Sequence, residues 1–494
     1  MKKNISISTY LLLFIFFLSA VPVFGQSDML LYNFRTIPQS VRTNPGIIPR
    51  SSYAIGLPFI SSVYNKYFNS AFTTNELLRS RSKDDSLSVD IPGILPKLKD
   101  RNQFSEYSSI DLFFAGIRIK RGYLTFGLRN KAYMNISYPQ DLAEFIWYGN
   151  GDYINKELDF QDFNINLKHY LDYHIGYALQ LSDRFSIGAR VHILHGLSNI
   201  HFKRMNTQVV TRFDEENFYS FEANTNMLVN TSGIEDFEVE AGSNFSIREY
   251  IQNKNNSGFG LDFGFNWQAS PGLNLSFSII DLGYLYWVSG VKNYQSARQN
   301  IRFNSIEVDL TEDVNALDVY IDSLKQVFDF VETHKDYFTS LPTRINIAAF
   351  YEANYMTHIG FVAQSRIIDD YMQHAFSLSF DRLLTKSFSI KAAWSVVNNT
   401  YDNIGLGLML QMGPVQTYFL TENIISLFDP LNGRNHSIRF GIGINVFKEK
   451  DREEMDDLKR DFPRYGRNYQ EDKYLQEQIQ NYWERKRVSD SRKQ

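Results

Sequence analysis

Eleven charged side chains sit within stretches that otherwise alternate apolar and polar residues: Arg129, Lys131, Lys168, Asp172, Arg190, Asp262, Arg344, Glu352, Asp381, Lys391 and Arg439. Successive side chains of a strand point to opposite faces, so charges confined to one face are directed into an interior. There they can pair with one another, grip a segment placed among them, or select a charged ligand. Patterns that carry catalysis are missing: the chain has no G-x-S-x-G, no H-E-x-x-H and no phosphate-binding loop. His192 and His195 are three apart on a strand, hence on opposite faces, and cannot chelate one metal in regular geometry. His195 and Ser198 are separated in the same way, which removes a serine nucleophile paired with that histidine. Gly258, Gly260 and Gly264 line an interior strand face and do not form a nucleotide loop. The expectation is therefore a non-enzymatic chain without catalytic, metal or cofactor residues.

The elements that position those charges are strands. From Asn164 to Leu181, Ile165, Leu167, Leu171, Tyr173, Ile175, Tyr177, Leu179 and Leu181 share one face, while Lys168, Asp172 and His174 fall on the other. Phe185 to Ile193 and Phe259 to Trp267 repeat the pattern, with Arg190 and Asp262 on the polar side. Strands of soluble sandwiches run about 5–6 residues, whereas about 9–11 are needed to cross a bilayer at a tilt. A basic residue facing mid-bilayer lipid costs about 2–4 kcal/mol, so segregating charge from a long apolar face suits a barrel in lipid. Fourteen such segments are predicted, near 53–65, 107–119, 123–137, 164–181, 185–203, 257–269, 273–290, 342–353, 357–367, 374–382, 387–398, 404–412, 415–424 and 436–447. Pro58 interrupts the first. An even count closes an antiparallel barrel without an edge strand. The fold class expected is all-β, a transmembrane antiparallel barrel.

Short and long connections alternate. Tight joints such as Lys120-Arg121-Gly122, Ser182-Asp183-Arg184 and Ser270-Pro271-Gly272 are interleaved with the long segments 66–106, 138–163, 204–256 and 291–341. Barrels of this kind place short turns in the periplasm and long loops outside, which predicts an outer-membrane location with both chain ends periplasmic. In the loop 204–256 a hairpin is expected from Thr207 to Phe213 and from Phe218 to Val229. In the loop 291–341, Val314, Leu317, Ile321, Leu324, Phe328 and Val331 follow helical spacing, which predicts a helix over the barrel mouth.

The ends read differently. Lys2 and Lys3 precede an apolar run from Tyr10 to Phe24 that closes on Val23-Phe24-Gly25, the layout of a secretory signal peptide over 1–25. The chain has no cysteine, which excludes both a lipoprotein anchor and a disulfide framework. With 51 basic and 55 acidic residues the net charge is −4, or −6 without the first 25 residues, which gives nucleic acid no basic face. Aromatics are abundant, with 40 Phe, 30 Tyr and 5 Trp. The barrel is expected to end at Phe447, and residues 448–494 carry 13 basic and 12 acidic residues, a mixture that cannot bury a core. Within this periplasmic tail, Tyr474, Leu475, Ile479, Tyr482 and Trp483 fit a helix able to dock a partner.

The segment Val41-Arg42-Thr43-Asn44-Pro45-Gly46-Ile47-Ile48-Pro49, followed by Ile55-Gly56-Leu57-Pro58-Phe59, resembles the N-terminal motif of an uncharacterised outer-membrane barrel family of Bacteroidota. That family is similar in architecture to the long-chain fatty-acid transporter and to the shuttle barrel of type IX secretion. The resemblance implies that residues 26–52, with Asn44, Pro45 and Gly46 at their motif, plug a barrel formed by 53–447. Gly46 stands where the family pattern has Ala, and the charged tail has no counterpart in the transporters. Two functions follow as expectations. The first is an accessory or scaffold barrel of an envelope complex, meeting outer-membrane lipid and binding periplasmic or outer-membrane proteins through its tail and external loops. The alternative is a passive channel for hydrophobic or small solutes.

Overall fold

In the computed structural model the described residues are 28–80, 87–149, 151–214, 218–234, 255–296, 300–303, 330–354, 356–369, 371–385, 387–397 and 400–447. Fourteen antiparallel wall strands close into a barrel. Strand β1 comes in two pieces, Tyr53–Gly56 and Val63–Asn69. Then follow β2 (Asn102–Ile119), β3 (Gly122–Tyr138), β4 (Asn164–Ser182), β5 (Phe185–Asp214), β6 (Ser257–Ser270) and β7 (Leu273–Trp287). The second half comprises β8 (Thr343–Asn354), β9 (Thr357–Ile368), β10 (Tyr371–Thr385), β11 (Phe388–Val397), β12 (Thr400–Met412), β13 (Val415–Thr421) and β14 (Asn435–Val446). Closure is made by β14 against both pieces of β1, with Tyr53 opposite Val446 and Val63 opposite Phe440.

The outward face is apolar: Tyr173, Ile175, Ile193, Phe263, Ile347, Leu378 and Trp394 are all exposed. No helix among the described residues is long and apolar enough to cross a membrane. Leu171 shares the outward parity of Tyr173 but is buried beneath Leu197, Leu112 and Leu128, with Leu197 set over it by a bulge in β5.

Pro58 does break β1. Residues 57–62 leave the ladder, Phe59 adopts φ 64°, and the strand resumes at Val63 and runs on to Asn69. Strand β5 is much longer than the segment expected at 185–203. Its 30 residues continue past the barrel and pair with Phe218–Ser232, setting Thr207 opposite Thr225 in the predicted hairpin. The helical stripe of the loop 291–341 is corrected at its last member, since Val331 lies in the strand Phe330–Thr333 paired to Val291–Ser296. Its other members lie outside the described residues, as do the signal-peptide segment and the tail with Tyr474, Leu475, Ile479, Tyr482 and Trp483.

Residues 28–52 fill the barrel interior. Met29 packs on Ala375 and Val397 in the long-loop half, and the chain descends until Ser51 meets Tyr123 near the short turns. The described segment thus begins inside the barrel rather than below it, and it enters β1 from the short-turn end.

Candidate functional site

Inward positions of β2 to β8 and β14 project charges that converge on the plug. Asp172 of β4 pairs with Arg129 and Lys131 of β3, each at 2.9 Å, and is hydrogen-bonded to His192 Nδ1 of β5 at 2.7 Å. The other ring nitrogen of His192 lies 3.0 Å from Asp262 of β6, which also takes Arg190 at 2.8 Å. Lys131 continues to Asp281 of β7 at 2.8 Å, and Asp281 to Arg344 of β8 at 3.1 Å. Arg344 then reaches Asp28 of the plug at 3.0 Å, and Arg439 of β14 closes on the same carboxylate. On the far side of β1, plug Arg42 pairs with Asp111 of β2, and both Arg42 and Arg439 donate to Ser62 Oγ. Five carboxylates thus face six cations plus His192, all buried.

Each carboxylate of the lattice has at least one cation beside it. Two groupings, Asp172 with His174 and His192, and His192 with Asp262 and Asp281, bring three ligand-type atoms within 4.8 Å of one another. Their carboxylates are already matched by Arg129, Lys131, Arg190 and Arg344, so a divalent cation would enter a site without negative charge to spare. The chemistry this arrangement can perform is to clamp a segment. At the plug end, burial pushes the Asp28 carboxyl up, but Arg439, Arg344 and Arg42 outweigh it and hold it below its usual range.

The remaining predicted lumen charges stand apart. Lys168 donates to the Ser340 carbonyl at 2.9 Å. Lys391 donates to the Tyr32 carbonyl at 2.7 Å and lies over the rings of Phe34 and Phe350. Glu352 accepts from Asn274 at 2.9 Å, and Asp381 meets His358 at 2.7 Å; both sit near the short turns, outside the lattice.

The Asn-Pro-Gly motif rests on glycines of the wall. Asn44 caps the turn by accepting from Gly46 N at 2.8 Å and donates to the Phe265 carbonyl at 3.1 Å. A Cβ on Gly188 would stand 2.0 Å from the Pro45 carbonyl oxygen, and one on Gly264 would stand 2.2 Å from Asn44 Oδ1. Gly264, set aside above as a lumen-facing glycine, is therefore part of the plug's seat.

The plug has a second, apolar side. Leu30, Leu31, Phe34 and Ile37 pack on Ala393 of β11, Met409 of β12, and Tyr418 and Leu420 of β13. Its ion pairs run instead to β2, β8 and β14. Sequence reading missed Asp28, Arg42, Asp111, Asp281 and the His192 bridge. A signal for the last was present: the tight turn 183–184 fixes the β4–β5 register and so sets His174 opposite His192 and Gly176 opposite Arg190.

Fold and site together define a transmembrane β-barrel of outer-membrane type whose interior holds residues 28–52. Residues 45–422 match DUF5723, a family of unknown function, and the chain belongs to that family. Comparison with curated proteins finds no match. Among solved structures the chain is similar to the Ralstonia pickettii toluene transporter TbuX, at 8% identity and TM-score 0.38 over 83% of this chain and 94% of that one. It is also similar to the Pseudomonas putida toluene transporter TodX, at 7% and 0.36 over 86% and 98%. A third is a Pseudomonas aeruginosa FadL homologue, at 10% and 0.36 over 83% and 94%.

Proposed function

We propose that this chain is a non-enzymatic solute channel of the outer membrane, closed at rest by residues 28–52 and opened by their displacement. The observation that carries the reading is the two-sided plug. One side is clamped by ion pairs to β2, β8 and β14, and the other meets β10 to β13 through an apolar seam. Apolar contact is non-directional, so a seam can part and re-form while the ionic side keeps its register. A path opened along that seam is lined mainly by Leu, Phe, Met, Ala and Tyr418, with Lys391 as its one charge, which suits small, largely hydrophobic solutes. The accessory-scaffold alternative draws on residues 448–494 and the stripe at 314–328, which lie outside the described residues, whereas the described lumen favours the channel.

The long loops face outward and the short turns face the periplasm, in keeping with the alternation of connection lengths. Planar-bilayer recording tests the closure. The purified chain should be nearly silent, and a variant lacking residues 28–50 should show large, stable steps. Equal conductance of the two would sink the reading. Because deletion also strips partners from buried charges, Asp28→Asn serves as a second variant and should produce brief openings.

A further inference from the structure

The long-loop mouth carries a cup of about 340 Å³ between the start of β12 and the loop joining β13 to β14. That volume lies at the lower end of the range for small-molecule sites. Its floor is amide-rich. Asn403 is fully buried and commits its Nδ2 to the Thr400 carbonyl at 3.1 Å and to Thr400 Oγ1 at 2.7 Å, which fixes its orientation. Asn435, 2% exposed, donates to Asn403 Oδ1 at 2.9 Å, and its own Oδ1 is left without a partner. A buried carbonyl acceptor without a donor costs about 1–3 kcal/mol.

The rim adds an aromatic face and one charge of each sign. The Tyr401 ring is 65% exposed while its carbonyl is held by Trp394 Nε1 at 2.8 Å. Asp402 and Arg434 also line the cup, and Arg434 approaches Glu76 at 3.5 Å. An apolar ligand would leave the asparagine amides unmatched. A metal ion would find a single carboxylate and a phosphate a single cation, so neither is well served. A neutral ligand bearing many hydroxyls and one C–H face answers the accessible features: donors for Asp402, acceptors for Arg434, and a surface for the tyrosine ring.

We propose that this cup is a saccharide-binding site. The sugar can come free in solution or as the glycan of a surface lipid, since the long-loop mouth is outermost under the orientation given above. The inference does not depend on the channel reading, because the cup sits outside the plugged lumen.

The test is titration of the full chain in detergent with maltotriose, chitotriose and the oligosaccharide released from lipopolysaccharide, followed by calorimetry. Saturable binding of at least one is expected, weakened about tenfold or more by Tyr401→Ala and by Asp402→Ala. Both residues are on the rim, and folding of each variant is checked by its heat-dependent shift on a gel. Binding of the short neutral sugars identifies a soluble source, and binding of the lipopolysaccharide fragment alone identifies a surface glycan. Absence of saturable binding with all three, or binding that both rim variants leave unchanged, overturns the proposal.

Discussion

Asp28 is the one carboxylate through which the plug holds two opposing walls, Arg344 on β8 and Arg439 on β14. Removing one member of a buried ion pair typically costs about 3–5 kcal/mol, because the partner charge stays buried. Asp28→Asn is therefore expected to lower the thermal midpoint of the barrel and to raise its open probability, read by calorimetry and by single-channel recording. Protonation should imitate the variant. The folded Asp28 carboxyl lies below its ordinary value of 3.8. Its contribution is thus fully present above that value and fades as pH falls through the lowered one. Openings should become frequent only in strongly acidic buffer and should be unchanged between pH 6 and 8. A second residue-scale test concerns the glycine seat. Gly188→Ala places a methyl carbon 2.0 Å from the Pro45 carbonyl, so the plug motif must shift. The expected result is a leak with the barrel still folded; a silent, normally stable variant would refute the seat. Most lattice members were legible as residues, because a charge on the polar face of a long alternating strand has only the interior to enter. Asp111 and Asp281 were not, because each lies at a bulge that interrupts the alternation of its strand; nor were Asp28 and Arg42, which lie in a segment without periodicity and acquire partners only across the lumen.

At the scale of elements, wall strands were the easiest to read and their ends the hardest. Alternation identifies fourteen crossings because one face must meet lipid along its length. It does not mark where lipid stops, and β5 continues as an ordinary sheet for a hairpin's length beyond the wall. The break in β1 was visible as Pro58, which has no N–H for the ladder. The stripe ending at Val331 shows the opposite failure, in which residues spaced for a helix include one that the sheet captured. Above the wall, Trp287 organises the mouth. It is fully buried, donates Nε1 to Thr339 Oγ1 at 2.9 Å and stacks on Tyr337 with Leu194, Leu285 and Leu341 around it. Trp287→Ala should destabilise the barrel by about 3–5 kcal/mol. Urea unfolding checks this, and a change within the error of the method would show that the mouth cluster folds independently of the wall.

For the whole molecule, the proposed channel requires motion: solute passes only when residues 28–52 part from β10 to β13. The absence of cysteine makes that claim directly testable, since introduced thiols have no competitors. Thr36 Oγ1 of the plug lies 3.4 Å from Ser389 Oγ of β11, across the seam, within reach of a disulfide after Thr36→Cys and Ser389→Cys. The decisive measurement is single-channel recording of this double variant on the Asp28→Asn background, before and after reduction. No openings are expected when the disulfide is formed, and the openings of Asp28→Asn alone when it is reduced. Equal openings in both states would mean that the path forms without movement of the plug along the seam, and would contradict the claim.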